Sequence, residues 1–186
     1  KDLIVKNKLE EKYFISNYKI NYDPIEKKLK FYLECPKALM KVQIYKDNGD
    51  EFYTAILVDT GKLVDPTYEV LLRTEKKLKK KLPSLALPVT ALDSDAHLKI
   101  TELVSKLDEG ISDRISEVIV NENGELTIIM SFGNRPTTAF LGKDYWGEKV
   151  GKLSKVIDYM KGKKSVPSII NLTNSKKVVV KFSDKI

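Results

Sequence analysis

Apolar and polar residues alternate with a period of two through the first third of the chain, as in strands with one buried face. The segments Tyr18–Tyr22 and Leu29–Leu33 alternate in this way on either side of the turn residues Asp23 and Pro24. They predict a β-hairpin that ends before Pro36, because proline cannot donate to a strand ladder. The same pattern predicts strands at Val42–Tyr45, Phe52–Val58 and Lys62–Leu71. A short helix is predicted at Leu3–Lys12, before the hairpin.

The second half combines helical spacing with further hairpins. Apolar residues recur every three or four positions over Ala96–Leu107, with cap-forming residues at Asp93–Asp95 and Gly110 placed to end the helix. The same spacing over Trp146–Met160 predicts a second helix. Strands are predicted at Ile115–Val120, Leu126–Met130, Thr137–Leu141, Ile169–Leu172 and Val178–Phe182.

These elements predict an α+β fold. Strands grouped into hairpins favour antiparallel sheets, and the two helices are expected to pack on one sheet face through stripes that include Ile100 and Val150. The length of 186 residues permits one ordinary domain or two small ones.

Composition indicates a folded, basic protein. Hydrophobic residues make up 42% and charged residues 32%, which excludes a disordered polymer, a collagen and a long coiled coil. The net charge of +7 favours anionic surroundings, but nearly all of it comes from lysine, whereas base readout favours arginine. We therefore expect no nucleic-acid partner. The basic run Lys76–Lys81 is interpreted as a solvated turn or helix end, with a patch for a membrane or an acidic partner as the alternative.

Residues that commonly carry chemistry are few. One cysteine, Cys35, and one histidine, His97, exclude a disulfide framework and the standard His/Cys zinc sets within one chain. His97 falls off the apolar stripe and is expected to be exposed. The closest carboxylate pairs flank a predicted helix and are explained as cap residues: Asp93 with Asp95, and Asp108 with Glu109. We therefore expect no enzyme active site, cofactor, metal or small-molecule substrate.

The terminal strand is the strongest candidate for a binding surface. Val178, Val180 and Phe182 alternate with Val179 and Lys181, so one face suits a core. A terminal strand also has a main-chain edge, which can accept a strand from another chain. Packing on the core and binding at the edge are compatible roles.

The order of short motifs resembles the extracytoplasmic region of the bacterial cell-division family FtsQ, called DivIB in Gram-positive bacteria. Glu34–Ala38 resembles the family's Glu-x-x-Pro-x-Ala segment, and Leu57–Val64 resembles its Val-Asp-x-x-Gly-x-Val strand and turn. Leu87–Thr90 resembles the entry to the family's β domain, with Ala91 where glycine is usual. The later matches, in the family's order, are Leu126–Ile129, Ala139–Gly142, Lys149–Met160 and Ile170–Leu172.

This resemblance implies a partial POTRA-like domain at residues 1–46 and an FtsQ/DivIB-like β domain at residues 47–186. It also implies a single-pass membrane protein anchored upstream, with this chain on the extracytoplasmic side. The protein would be a non-enzymatic scaffold of the division machinery that holds FtsB-like and FtsL-like proteins through strand addition. Its basic surface would face anionic lipid or acidic neighbours. The implied contact residues are Ile170, Leu172, Asn174, Lys177, Val178, Val179, Val180, Lys181 and Phe182.

Two alternatives remain open from the residues alone. A POTRA-type adaptor or chaperone for outer-membrane or secreted chains would also add a strand, but near Phe52–Val58. A nucleic-acid-binding domain would use Lys76–Lys81 and would bind with a steep dependence on salt.

Overall fold

A computed structural model of the chain describes residues 17–46, 52–64, 81–133, 135–161 and 166–182. The strands are β1 (Asn17–Asp23), β2 (Lys28–Glu34), β3 (Ala38–Tyr45), β4 (Phe52–Val58), β5 (Leu63–Val64), β6 (Ser84–Pro88), β7 (Ile115–Val120), β8 (Leu126–Phe132), β9 (Arg135–Gly142), β10 (Pro167–Asn171) and β11 (Val179–Phe182). The helices are α1 (Thr90–Asp93), α2 (Ala96–Ser105), α3 (Glu109–Ser112) and α4 (Trp146–Lys161).

Within these described ranges, nine strands form one sheet in the order β11-β10-β9-β8-β7-β6-β3-β4-β5, and β1 pairs only with β2. Most predicted elements are confirmed within a few residues, including the 52–58 and 115–120 strands and the helix from Trp146. The fold is a mixture of helix and strand that is mostly sheet, which agrees with the α+β prediction.

Three neighbouring pairs are parallel: β3 with β6, β6 with β7, and β9 with β10. The prediction of antiparallel sheets is therefore wrong for these pairs. For two of these pairs the reason lies in the connections, since α1 to α3 lie between β6 and β7, and α4 lies between β9 and β10. A helical crossover returns the chain to the same end of the sheet, which a short hairpin turn cannot do.

A row of apolar residues crosses the sheet and forms the centre of the core. Pairing places them side by side on six successive strands, and each is at most 1% exposed; this central row is Val42, Leu85, Val118, Ile128, Ala139 and Ile170. Ile100, Leu103, Val150, Leu153 and Ile157 belong to the same buried cluster. The helices therefore cover the face that carries the central row, and the expected burial of the Ile100 and Val150 stripes is confirmed.

The start of α2 differs from the prediction. Asp95 occupies the cap position but adopts a left-handed conformation, with φ of 52°, and makes no side-chain cap hydrogen bond. The Ser94 hydroxyl donates instead to the Ala91 carbonyl, 3.0 Å away. The chain makes the short helix α1 just before α2, so these residues serve a turn between two helices. Gly110 likewise lies inside α3 and does not end α2.

Strands β1 and β2 form a separate two-stranded ribbon, residues 17–34. Its register places six apolar side chains on one face: Tyr18, Ile20, Tyr22, Leu29, Phe31 and Leu33. Four of these, at positions 22, 29, 31 and 33, are more than half exposed in the described structure. The ribbon confirms the predicted first hairpin and its end before Pro36.

Some predictions lie outside the described residues, namely the Leu3–Lys12 helix, the 65–71 part of the fifth strand and all but the last residue of the basic run Lys76–Lys81. The division at residues 46 and 47 falls between β3 and β4, which pair along their lengths. The change from the ribbon to the large sheet occurs earlier, between Glu34 and Ala38. The two-domain organisation stays a prediction.

Candidate functional site

The candidate site is the edge of the large sheet formed by β11. This strand pairs antiparallel with β10, matching Ile170 with Val180 and Asn171 with Val179. In the part of the chain that the structure describes, β11 has no second strand neighbour. An edge of this kind presents main-chain N–H and C=O groups that another strand can pair with.

The central row ends at this edge. Val180 continues the row beyond Ile170 but is only half-buried, whereas Ile170 has no exposed surface. The difference arises because Ile170 has strands on both sides in the sheet, while Val180 has a strand on one side only among the described residues. An added strand would supply the missing side and would bury Val180 further.

The two faces of β11 both expose apolar surface. Val179 is 50% exposed on the face opposite the central row, and Phe182 is 41% exposed on the helix-covered side, where it pairs with the buried Pro167. Lys181 is exposed and lies on the same face as Val179. Apolar residues on both faces, at an edge with no second strand neighbour among residues 17–182 that the structure describes, suit strand addition.

The remaining predicted contact residues divide by burial. Ile170 and Leu172 have no exposed surface, so they support the edge from within the core and offer no direct contact area. Asn174 and Lys177 are exposed in the connection between β10 and β11, and the half-buried Val178 also precedes β11. The residues available for direct contact in the strand are therefore Val179 to Phe182.

A buried lysine, Lys149, links the start of α4 to the end of β9, close to this edge. The Lys149 side chain is 1% exposed, and its ammonium donates to the Leu141 carbonyl at 2.7 Å and to the Asp144 carboxylate at 2.9 Å. The Trp146 indole donates to the Gly142 carbonyl at 2.7 Å. These bonds satisfy polar groups that would otherwise be buried without partners, which is costly.

The sequence held a signal for Lys149 that the stripe of apolar residues obscured. Lys149 lies three residues after Trp146 and four before Leu153, so helical spacing places it on the core face of α4. A lysine at such a position indicates either a strained core or a buried ion pair. The structure shows an ion pair in which Lys149 is buried and the Asp144 side chain is 66% exposed.

A cavity of about 460 Å³ lies between α2 and the start of α4. The described residues that line it include no Ser, Thr, Cys or His, and both lining carboxylates are paired with lysine, Glu102 with Lys106 and Asp144 with Lys149. The hydrogen bond from Lys106 lowers the pKa of Glu102, so this carboxyl is ionised at neutral pH. The described lining therefore offers no Ser, Thr or Cys nucleophile and no histidine base.

His97 differs from its prediction as an exposed helix residue. Its side chain is half-buried, and its Nδ1 atom is buried without a hydrogen-bond partner among the described residues. The Thr101 hydroxyl donates to the His97 backbone carbonyl at 2.8 Å and does not reach the imidazole. Gly61, in the turn between β4 and β5, lies close to Leu98 and Thr101 of α2, a contact that the periodicity of α2 does not indicate.

None of the described helices is long and apolar enough to cross a membrane. No protein-family model matches the chain, and comparison with curated proteins finds no match.

Proposed function

We propose that the chain is a non-enzymatic scaffold that binds a partner protein by strand addition at β11. The resemblance to the FtsQ/DivIB family identifies the expected partners as FtsB-like and FtsL-like division proteins. In this proposal the chain lies on the extracytoplasmic side of the cell membrane and is anchored by a single helix upstream of Lys1.

The observation that carries the proposal is the position of β11 at the end of the described sheet, with the central row stopping at the half-buried Val180. A partner strand would form main-chain hydrogen bonds along residues 179–182 and would place a side chain next to Val180. The backbone bonds supply attachment, and the side-chain contacts select the partner. We expect an apolar residue beside Val180, since that position extends the buried row.

Charge at the edge favours a partner with carboxylates. Lys177 and Lys181 are exposed near β11, and lysine on an edge strand disfavours pairing with a second copy of the same strand. A carboxylate of the partner opposite Lys181 would replace this repulsion between like charges with an attraction. The net charge of +7 would also favour an anionic membrane surface nearby, by up to about 1 kcal/mol for each lysine close to it.

Proline substitutions at two adjacent positions test the edge. Successive N–H groups of a strand point to opposite sides, so one of Val179→Pro and Val180→Pro removes an outward N–H and the other removes a bond to β10. We expect the variant that loses the N–H pointing away from β10 to keep the circular dichroism spectrum and thermal midpoint of the wild type. Its affinity for a labelled strand-forming peptide of an FtsB-type protein should fall at least about ten-fold, the loss expected when a strand bond and its geometry are removed.

A matched pair of charged variants distinguishes binding at β11 from binding at β4. Val179→Glu and Tyr53→Glu both replace a half-exposed apolar residue, at 50% and 57% exposure, on β11 and β4 respectively. The proposal expects only Val179→Glu to weaken peptide binding. Loss with Tyr53→Glu alone, together with hydrogen-exchange protection near residues 52–58 on adding peptide, would instead favour strand addition at β4, as the POTRA-type alternative expects.

A further inference from the structure

The connection between β10 and β11, loop 172–178, has seven residues, which is long for an antiparallel hairpin. Two asparagine side chains order it, Asn171 from the end of β10 and Asn174 from within the loop. The Asn171 Oδ1 atom accepts bonds from the Thr173 N–H at 3.0 Å and hydroxyl at 2.7 Å, and the Asn174 Oδ1 atom accepts one from the Lys176 N–H at 2.8 Å. These bonds shape the loop and join it no further than the end of β10.

The attachments of the loop lie at different distances from β11. Near β10, the Leu172 N–H donates to the Phe140 carbonyl at 2.8 Å, and Thr173 packs close to Gly142. Further along, the Lys152 ammonium of α4 donates to the Ser175 carbonyl. Lys152 is thus a link between the helix and the half of the loop that leads into β11.

Lys152 is itself held in place for this contact. Its ammonium donates to the Glu148 carboxylate one turn earlier on α4, at 2.7 Å, while also reaching Ser175. An ammonium has three donors, so it can serve both acceptors at once. Because α4 is anchored in the core by Leu153 and Ile157, the loop is tied to a rigid element.

We propose that Lys152 is a positioning residue that orders loop 172–178 and thereby holds β11 ready for a partner strand. This inference rests on the proposed function of β11. A strand that is already ordered loses less conformational freedom on binding, so more of the interaction energy appears as affinity. An exposed ion pair contributes little to the stability of a whole domain, so the effect should be local.

The test compares Lys152→Met, which keeps the length of the side chain but removes the donors, with Lys152→Arg, which restores them. Lys155→Met is the matched control, because Lys155 is an exposed lysine on the same helix with no described contact. Amide exchange in the free chain should become about two- to five-fold faster over residues 176–182 in Lys152→Met, the size expected for one exposed charged contact. Exchange in β6 to β8 and the midpoint of urea unfolding should stay unchanged.

Affinity for the labelled FtsB-type peptide should fall by a similar factor in Lys152→Met and should recover in Lys152→Arg. A merely structural role would not give this combination of lower affinity and unchanged unfolding. Unchanged exchange over residues 176–182 would overturn the inference, as would faster exchange with unchanged affinity. If the wild type does not bind the peptide at all, the proposed function fails, and the exchange measurement alone then decides whether Lys152 orders the loop.

Discussion

The ribbon β1–β2 and the terminal hairpin β10–β11 have similar sequence patterns but very different surroundings. Each has two short antiparallel strands with apolar residues at alternate positions. The ribbon stands as a separate two-stranded sheet with most of its apolar face exposed, whereas β10 is buried between β9 and β11. Local alternation therefore predicts a hairpin equally well in both places and does not predict what the hairpin packs against.

The difference comes from the connections that lead into each hairpin. A helical crossover places β10 parallel to β9, so the hairpin joins the large sheet and its inner residues Ile170 and Leu172 enter the core. The ribbon has no such crossover among the described residues, and a two-stranded sheet alone is marginally stable in water. One hairpin thus inherits stability from the whole sheet, and the other depends on its own contacts.

The largest expected contrast comes from the same substitution in both hairpins. Leu172→Ala removes a side chain with no exposed surface and should lower the free energy of unfolding by about 3 kcal/mol, through lost burial and a residual cavity. Leu33→Ala removes a side chain that is 53% exposed and should cost less than about 1 kcal/mol. Urea unfolding followed by fluorescence measures both. Equal losses would mean that the apolar face of the ribbon is covered.

A smaller contrast concerns residues with positive φ, one where β9 ends in the large sheet and one in the turn of the ribbon. Gly142 has φ of 77° where β9 ends, so Gly142→Ala should destabilise the sheet by about 1 to 2 kcal/mol. Lys27 has φ of 51° in the ribbon turn, so Lys27→Gly should relieve strain and slow amide exchange in residues 18–33. Urea unfolding reports the first change and amide exchange the second. Destabilisation of the ribbon by Lys27→Gly would contradict the assignment of strain to that turn.

The smallest expected effect is a pH dependence confined to the ribbon. The Glu26 N–H and the Lys30 ammonium donate to Asp23 and lower its pKa below the ordinary 3.8, with a further bond from the Ile25 N–H. A lowered folded-state pKa stabilises the turn above the unfolded value, and this contribution disappears as pH falls through the folded value. Amide exchange of the ribbon should therefore be steady above about pH 4, apart from its intrinsic pH dependence, and lose protection below it.

The control for this pH effect is Asp23→Asn, which keeps an acceptor oxygen for the turn but has no charge. The variant should show no loss of ribbon protection on acidification. The urea midpoint of the large sheet should be the same for the wild type and Asp23→Asn, both above and below about pH 4. A shared acid transition in both hairpins would show that the ribbon and the sheet unfold together.

The sequence predicted the strand of the candidate site but not the burial of its individual residues. Alternation in Val178 to Phe182 indicated a strand with one apolar face, and the resemblance to FtsQ/DivIB indicated a partner at its edge. The distinction between Ile170, which is buried, and Val179, which is half-exposed, depends on the neighbouring strands. Lys152 gave no signal, because its acceptor on Ser175 lies 23 residues away along the chain.

The sequence by itself determined where most strands and both long helices lie, since side-chain period, proline and turn residues act over a few positions. Only the tertiary structure decided that β6 lies between β3 and β7, that β9 and β10 run parallel, and that Lys149 is buried with Asp144 as its partner. The physical reason is that these features depend on burial shared between segments far apart in the chain, and no local pattern records which distant segment will supply the contact.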